Sequence, residues 1–197
     1  MTLYKRRMRF SNLSIKVGLV FSKAGLTPNQ YTLLTLILAI ITFFFLTQEI
    51  FIVAAAFMIL AAFFDFVDGS VARVRSMASR KGAYIDTVMD RYVEGIIVFG
   101  LLFAALPALV LPAYAWIFLY LFGSLMTTYA KSAAKEKDIV YEELKGGMLE
   151  RAERMIILFI GILLASVEPV YLTYVIVILA IVSNISALQR IWIALRY

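Results

Sequence analysis

Residues 65–90 read DFVDGSVARVRSMASRKGAYIDTVMD, and this stretch decides how the rest of the chain is read. Asp65 and Asp68 lie three residues apart, Asp86 and Asp90 four apart. On helices each pair shares a face. Four carboxylates brought face to face repel one another unless a divalent cation lies between them. Oxygen-only ligands suit Mg²⁺, Mn²⁺ or Ca²⁺ rather than zinc or copper. Gly69 lies one turn after Asp65 and Gly82 one turn before Asp86, and Ala72 keeps the face beyond Gly69 open. Arg73 adds a guanidinium, the group best shaped to grip phosphate oxygens. Carboxylates, small residues and an arginine together point to a diphosphate site in which a metal neutralises charge as a phosphate departs.

The surroundings of this stretch are those of a membrane protein. Hydrophobic residues make up 63% of the 197, against roughly 45–50% in a soluble domain, and the mean hydropathy is +0.90. There is no cysteine and no histidine. Disulfides, thiolate nucleophiles, Cys-type zinc sites, the Ser-His-Asp triad and a histidine base are therefore excluded. The net charge of +6 reads as basic loops against anionic headgroups, with no nucleic-acid partner.

Working outward, six apolar segments cover about 29–47, 50–75, 83–105, 111–134, 148–167 and 170–192, each near the ~20 residues needed to cross a bilayer. The breaks fall at Gln48-Glu49, Ser76–Lys81, Pro107 and Pro112, 136–147 and Glu168-Pro169. The second segment is expected to run on as helix to about Met77, and the mixed-sign segment 136–147 reads as a solvated connector. Residues 3–24 interleave Lys5, Arg6, Arg7, Arg9, Lys16 and Lys23 with apolar side chains, the pattern of a helix lying in the interface. Thr27 and Pro28 then suit the start of the first span. The expected fold is an all-α polytopic membrane protein. Six transmembrane helices follow an N-terminal interfacial amphipathic helix, as a single domain over 1–197 (1–26 interfacial, 27–197 bundle). All 19 Lys and Arg fall on the side shared by the termini, while Glu49 and Glu168 are the charges on the other side. The positive-inside rule then places both termini and the aspartates at the cytoplasmic face of the cell membrane.

The frame Asp65-x2-Asp68-Gly69-x2-Ala72-Arg73-x8-Gly82-x3-Asp86-x3-Asp90, with Thr27-Pro28-Asn29 before the first span, resembles the signature of the CDP-alcohol phosphotransferase family over essentially the whole chain. That resemblance implies an enzyme that moves a phosphatidyl or archaetidyl group from a CDP-lipid (CDP-diacylglycerol or CDP-archaeol) to an alcohol, releasing CMP. It implies two Mg²⁺ or Mn²⁺ ions held by Asp65, Asp68, Asp86 and Asp90, with Asp90 also the general base. It further implies that Asn29, Gly69, Ala72 and Gly82 accommodate or contact the cytidine, that Arg73 holds the phosphates, and that the protein is a homodimer. With no histidine in the chain, a carboxylate is the available base.

The acceptor is read from residues outside the frame. Lys131 and Lys135, Arg151 and Arg154, and Arg190 all approach the cytoplasmic ends of later spans and are expected to bind a phosphorylated alcohol; the alternative is snorkelling anchors. Lys131-x3-Lys135 followed by Glu150-Arg151-Ala152-Glu153-Arg154 is similar to members that use inositol phosphate. Inositol 1-phosphate is the favoured acceptor, ahead of glycerol 3-phosphate and serine. Glu94, one turn beyond Asp90, is expected to pair with a cation such as Arg91. A non-enzymatic cation channel or transporter would account for the acidic residues, but not for the small residues and arginine among them.

Overall fold

The computed structural model describes residues 3–139 and 148–196, with side chains from Asn12 onward. Among the described residues the chain is all-helical: α1 (Leu3–Ser22), α2 (Pro28–Thr47), α3 (Phe51–Val74), α4 (Arg80–Gly100), α5 (Ala113–Glu136), α6 (Arg151–Ala165) and α7 (Pro169–Ala194). A single 3₁₀ turn, Leu101–Phe103, follows α4. Helices α2, α3 and α7 are long and apolar enough to cross a membrane. The other three expected segments are helical as well, but α6 has 15 residues where twenty were expected. Of the expected connector at 136–147, residues 140–147 lie outside the described residues.

Exposure along these helices is inverted relative to a soluble protein. Leu33, Ile37, Ile40 and Phe44 on α2, and Ile178, Ile181, Ile185 and Leu188 on α7, are exposed at helical spacing. Thr35 and Thr42 on α2, with Thr173, Ser183 and Ser186 on α7, are buried. Apolar side chains outward and small hydroxyls inward is the packing of helices solvated by lipid.

The helix ends follow from local chemistry. Thr27 N–H donates to Gln30 Oε1 at 2.7 Å, half of a capping box at the start of α2. Three helices close on non-glycine residues in the left-handed region: Glu49 (φ 58°), Ser76 (φ 54°) and Asp138 (φ 53°). In each the next residue's N–H reaches five positions back, as from Met77 to Ala72 O at 2.9 Å, which is a Schellman closure. This is why α3 stops at Val74, short of the Met77 expected from sequence. Nothing in the composition of Ser76 announces the stop.

The chain divides into two compact units, residues 1–42 with 56–97, and residues 43–55 with 98–197. The first is built on a core of Tyr31, Val67 and Val71, with Val17, Phe21 and Phe64 packed against it. Here α1 crosses α3 closely: a Cβ on Gly18 would lie 2.5 Å from the backbone oxygen of Ser70. The turn after α1 is tied to the end of α3 by Arg75 Nη1, which donates to Leu26 O at 2.9 Å. In the second unit α7 packs on both α5 and α6, with α5 meeting α7 where a Cβ on Gly123 would lie 2.8 Å from the Asn184 backbone nitrogen. Phe43 stacks on Phe99 at 5.6 Å, and Glu49 Oε1 accepts the Ala105 N–H at 2.9 Å.

Candidate functional site

The loop between α3 and α4 sets the level of the aspartates. Ser79 caps α4, its Oγ accepting the Gly82 N–H at 3.0 Å. At a rise of about 1.5 Å per residue, Asp65 lies about 13 Å before the end of α3, while Asp86 and Asp90 lie about 9 and 15 Å into α4. Asp65 is thereby brought level with the α4 pair. Carboxylate oxygens of Asp65, Asp86 and Asp90 all lie within 4.8 Å of one another. Asp86 is exposed, and Asp65 and Asp90 are half-buried.

Asp68 is turned differently. It is 3% exposed, and its Oδ2 accepts the Thr32 hydroxyl of α2 at 2.7 Å. The helix turns about 100° per residue, so a four-residue step leaves Asp86 and Asp90 about 40° apart, while the three-residue step separates Asp65 and Asp68 by about 60°. The wider angle sends one carboxylate toward α4 and the other toward α2. Arg91 flanks Asp90 on the same helix, with Nη2 3.5 Å from Asp90 Oδ2 and Nη1 3.9 Å from Glu94 Oε2. The pairing expected for Glu94 is present.

Arg73 has an exposed side chain whose guanidinium is nonetheless anchored. Its Nε and Nη2 donate to Ser14 Oγ of α1 at 3.2 and 2.7 Å. It lies against Gly69, where a Cβ would be 3.4 Å from Nη1. Gly82 opens beside Ser79, with a Cβ there 3.2 Å from Ser79 Oγ. Ala72 is half-buried on α3, and Asn29 is exposed in the first turn of α2. Ser14, Thr32 and Ser79 were not singled out from sequence. Of the three, Ser79 alone carried a local signal, a serine just before a helix start.

The basic residues belong to the second unit. Arg154 is 1% exposed and Arg190 8%, which rules out snorkelling for these two. Arg154 Nη2 donates to Ser124 Oγ at 2.9 Å and Arg190 Nη1 to Thr127 O at 3.1 Å. Both therefore converge on one stretch of α5, which also carries Lys131. Lys131 and Arg151 are half-buried and Lys135 is exposed. A capping box of Glu150 and Glu153 starts α6 and so sets the position of Arg154.

An all-oxygen donor set of three clustered carboxylates fits a hard divalent cation. Comparison with known proteins agrees with this chemistry. The chain is 32% identical over 184 residues to the archaetidylinositol phosphate synthase of Pyrococcus horikoshii, covering 90% of this chain and 88% of that one. It is 31% identical over 194 residues to the phosphatidylinositol phosphate synthase of Mycolicibacterium smegmatis, covering 94% and 85%. The fold matches the crystal structure of the Mycobacterium tuberculosis phosphatidylinositol phosphate synthase in complex with manganese and citrate, with a TM-score of 0.81, 26% identity and coverage of 92% and 88%. The same enzyme with CDP-DAG bound matches with a TM-score of 0.80, 25% identity and coverage of 93% and 94%. The family model for CDP-alcohol phosphatidyltransferase matches residues 25–187. The chain is a transferase and belongs to the CDP-alcohol phosphatidyltransferase family.

Proposed function

We propose that this enzyme transfers a phosphatidyl or archaetidyl group from a CDP-lipid to inositol 1-phosphate, releasing CMP. The observation that carries the reading is the meeting of Asp65, Asp86 and Asp90 within 4.8 Å, with Arg73 held beside Gly69 on the helix that carries Asp65. Two Mg²⁺ or Mn²⁺ ions, held by these three and Asp68, supply neutralisation of the diphosphate as CMP leaves. Asp90 accepts the proton of the acceptor hydroxyl. The freed oxygen bonds to the lipid-side phosphorus, and the P–O bond to CMP breaks with its electron pair going to CMP. Arg73 binds diphosphate oxygens, and the openings at Gly69, Ala72 and Gly82, with Asn29, accommodate the nucleotide. In the second unit Arg154 and Arg190, with Lys131, Lys135 and Arg151, hold the acceptor's phosphate. The names of the two relatives, both inositol phosphate-lipid synthases, support that acceptor over glycerol 3-phosphate and serine.

The same reading takes α2–α7 as six membrane spans, α1 as an interfacial helix, the site and both termini as cytoplasmic, and the working unit as a homodimer. It treats the chain as one functional domain, supported by the family match across both compact units. The test is CMP release by purified protein from CDP-diacylglycerol or CDP-archaeol, with and without Mg²⁺ or Mn²⁺, against inositol 1-phosphate, glycerol 3-phosphate and serine. Metal-dependent release with inositol 1-phosphate is expected. Release with glycerol 3-phosphate alone would overturn the acceptor, and none with any acceptor would overturn the reaction.

A further inference from the structure

Arg73 is held from two helices, its Nη2 donating to Ser70 Oγ of its own α3 at 3.4 Å and its shorter bonds going to Ser14 of α1. The hydrogen bonds around it run in one direction. A serine hydroxyl offers one hydrogen and two lone pairs. Ser70 Oγ donates its hydrogen to Phe66 O at 2.8 Å. In the contact between Ser70 Oγ and Ser14 Oγ, at 3.0 Å, Ser14 is therefore the donor. Both lone pairs of Ser14 are then left for the two Arg73 N–H groups at 3.2 and 2.7 Å. The relay runs from Arg73 to Ser14 to Ser70 to the Phe66 carbonyl, and it uses every bonding position of the Ser14 hydroxyl. Ser14 is itself 6% exposed, within a helix whose neighbouring Leu13 and Ile15 are about half exposed, at 51% and 50%.

We propose that Ser14 of α1 is a positioning residue for Arg73. It grips the Nε–Nη2 edge of the guanidinium so that the terminal edge is presented beside Gly69 to the substrate diphosphate; this rests on the transferase reading above. Docking of α1 does not itself need the hydroxyl. The close crossing at Gly18 and the packing of half-buried Phe21 against Tyr31 and Phe64 already seat the helix. What Ser14 adds is a fixed orientation for a long side chain that is otherwise exposed to water, where an unheld arginine samples many rotamers.

The test is kinetic and uses the full chain in detergent, with Ser14→Ala, Arg73→Ala, the double variant and Ser14→Thr. Losing a hydrogen bond to a charged group gives an expected rise of about tenfold in the KM for CDP-diacylglycerol in Ser14→Ala, with kcat within about threefold. The KM for the alcohol stays unchanged, and Ser14→Thr, which keeps the hydroxyl, stays close to wild type. In the Arg73→Ala background, Ser14→Ala adds nothing further. An unchanged KM in Ser14→Ala, or an effect of full size in the Arg73→Ala background, overturns the proposal. Binding of CDP-diacylglycerol, read on the same samples, separates the two ideas. Wild type that binds but releases no CMP overturns the transferase reading alone, and Ser14→Ala must still weaken that binding. Wild type that neither binds nor turns over overturns both.

Discussion

The two compact units hold their charged side chains in different ways. In the first, the aspartate group and Arg73 are open: Asp86 and Arg73 are exposed, and Asp65 and Asp90 half-buried. In the second, Arg154 and Arg190 are buried among helices and hydrogen-bonded to Ser124 and to the Thr127 carbonyl. A buried guanidinium must have partners at all times or its burial is costly. The first unit leaves its charged groups open, and the second holds its guanidinium groups in a fixed hydrogen-bonded frame.

The comparison breaks most readily at Asp90. Asp90→Asn alters both a proposed metal ligand and the proposed base. CMP release is expected to fall about 10³-fold, with CDP-diacylglycerol binding retained; survival of activity would end the assignment of the base. Next comes Arg154→Ala, which strips a buried charge from its partners. The apparent KM for inositol 1-phosphate is expected to rise about 10²-fold while that for the CDP-lipid holds. If the CDP-lipid KM moved instead, the division of labour between the units would be wrong. Gly18→Ala forces a methyl group toward Ser70 O. About 2 kcal/mol of stability should be lost, visible as a lower melting temperature in detergent, with the second unit's Gly123→Ala as the matched comparison. Smallest is Thr32→Val, which removes the hydroxyl from Asp68; the Mn²⁺ concentration for half-maximal activity should rise about tenfold. No change there would mean that Asp68 needs no help from α2.

Much of this was legible in the sequence, and what was not has a common cause. The aspartate frame could be read because its spacing is itself the geometry: helical periodicity places Asp86 with Asp90 without reference to the rest of the chain. Glu168-Pro169 and Thr27-Pro28 marked helix starts for the same local reason. Ser14 and Thr32 could not be found, because a hydroxyl in an apolar helix acquires meaning only from a partner 59 or 36 positions away. That Asp68 turns to α2 while Asp65 turns to α4 likewise depends on where three helices sit. Arg154 and Arg190 were found as candidates, but their burial contradicted the simple picture of cations at helix ends. The end of α3 was overrun by three residues because its stop is a backbone conformation at Ser76 rather than a residue type.

That closure at Ser76 has a consequence for handling the protein. A serine at φ 54° holds the α3–α4 loop in a conformation that costs about 1 kcal/mol relative to glycine. Asp138 closes α5 in the same way, whereas Glu49 also uses its carboxylate to cap the Ala105 N–H and has a second reason to stay. Glycine at Ser76 would relax the backbone, whereas at Glu49 it would also remove the carboxylate that accepts the Ala105 N–H. The two closures therefore differ as engineering handles. The first is a reserve of thermal tolerance that can be drawn on without touching an aspartate, and the second is a joint that should be left alone.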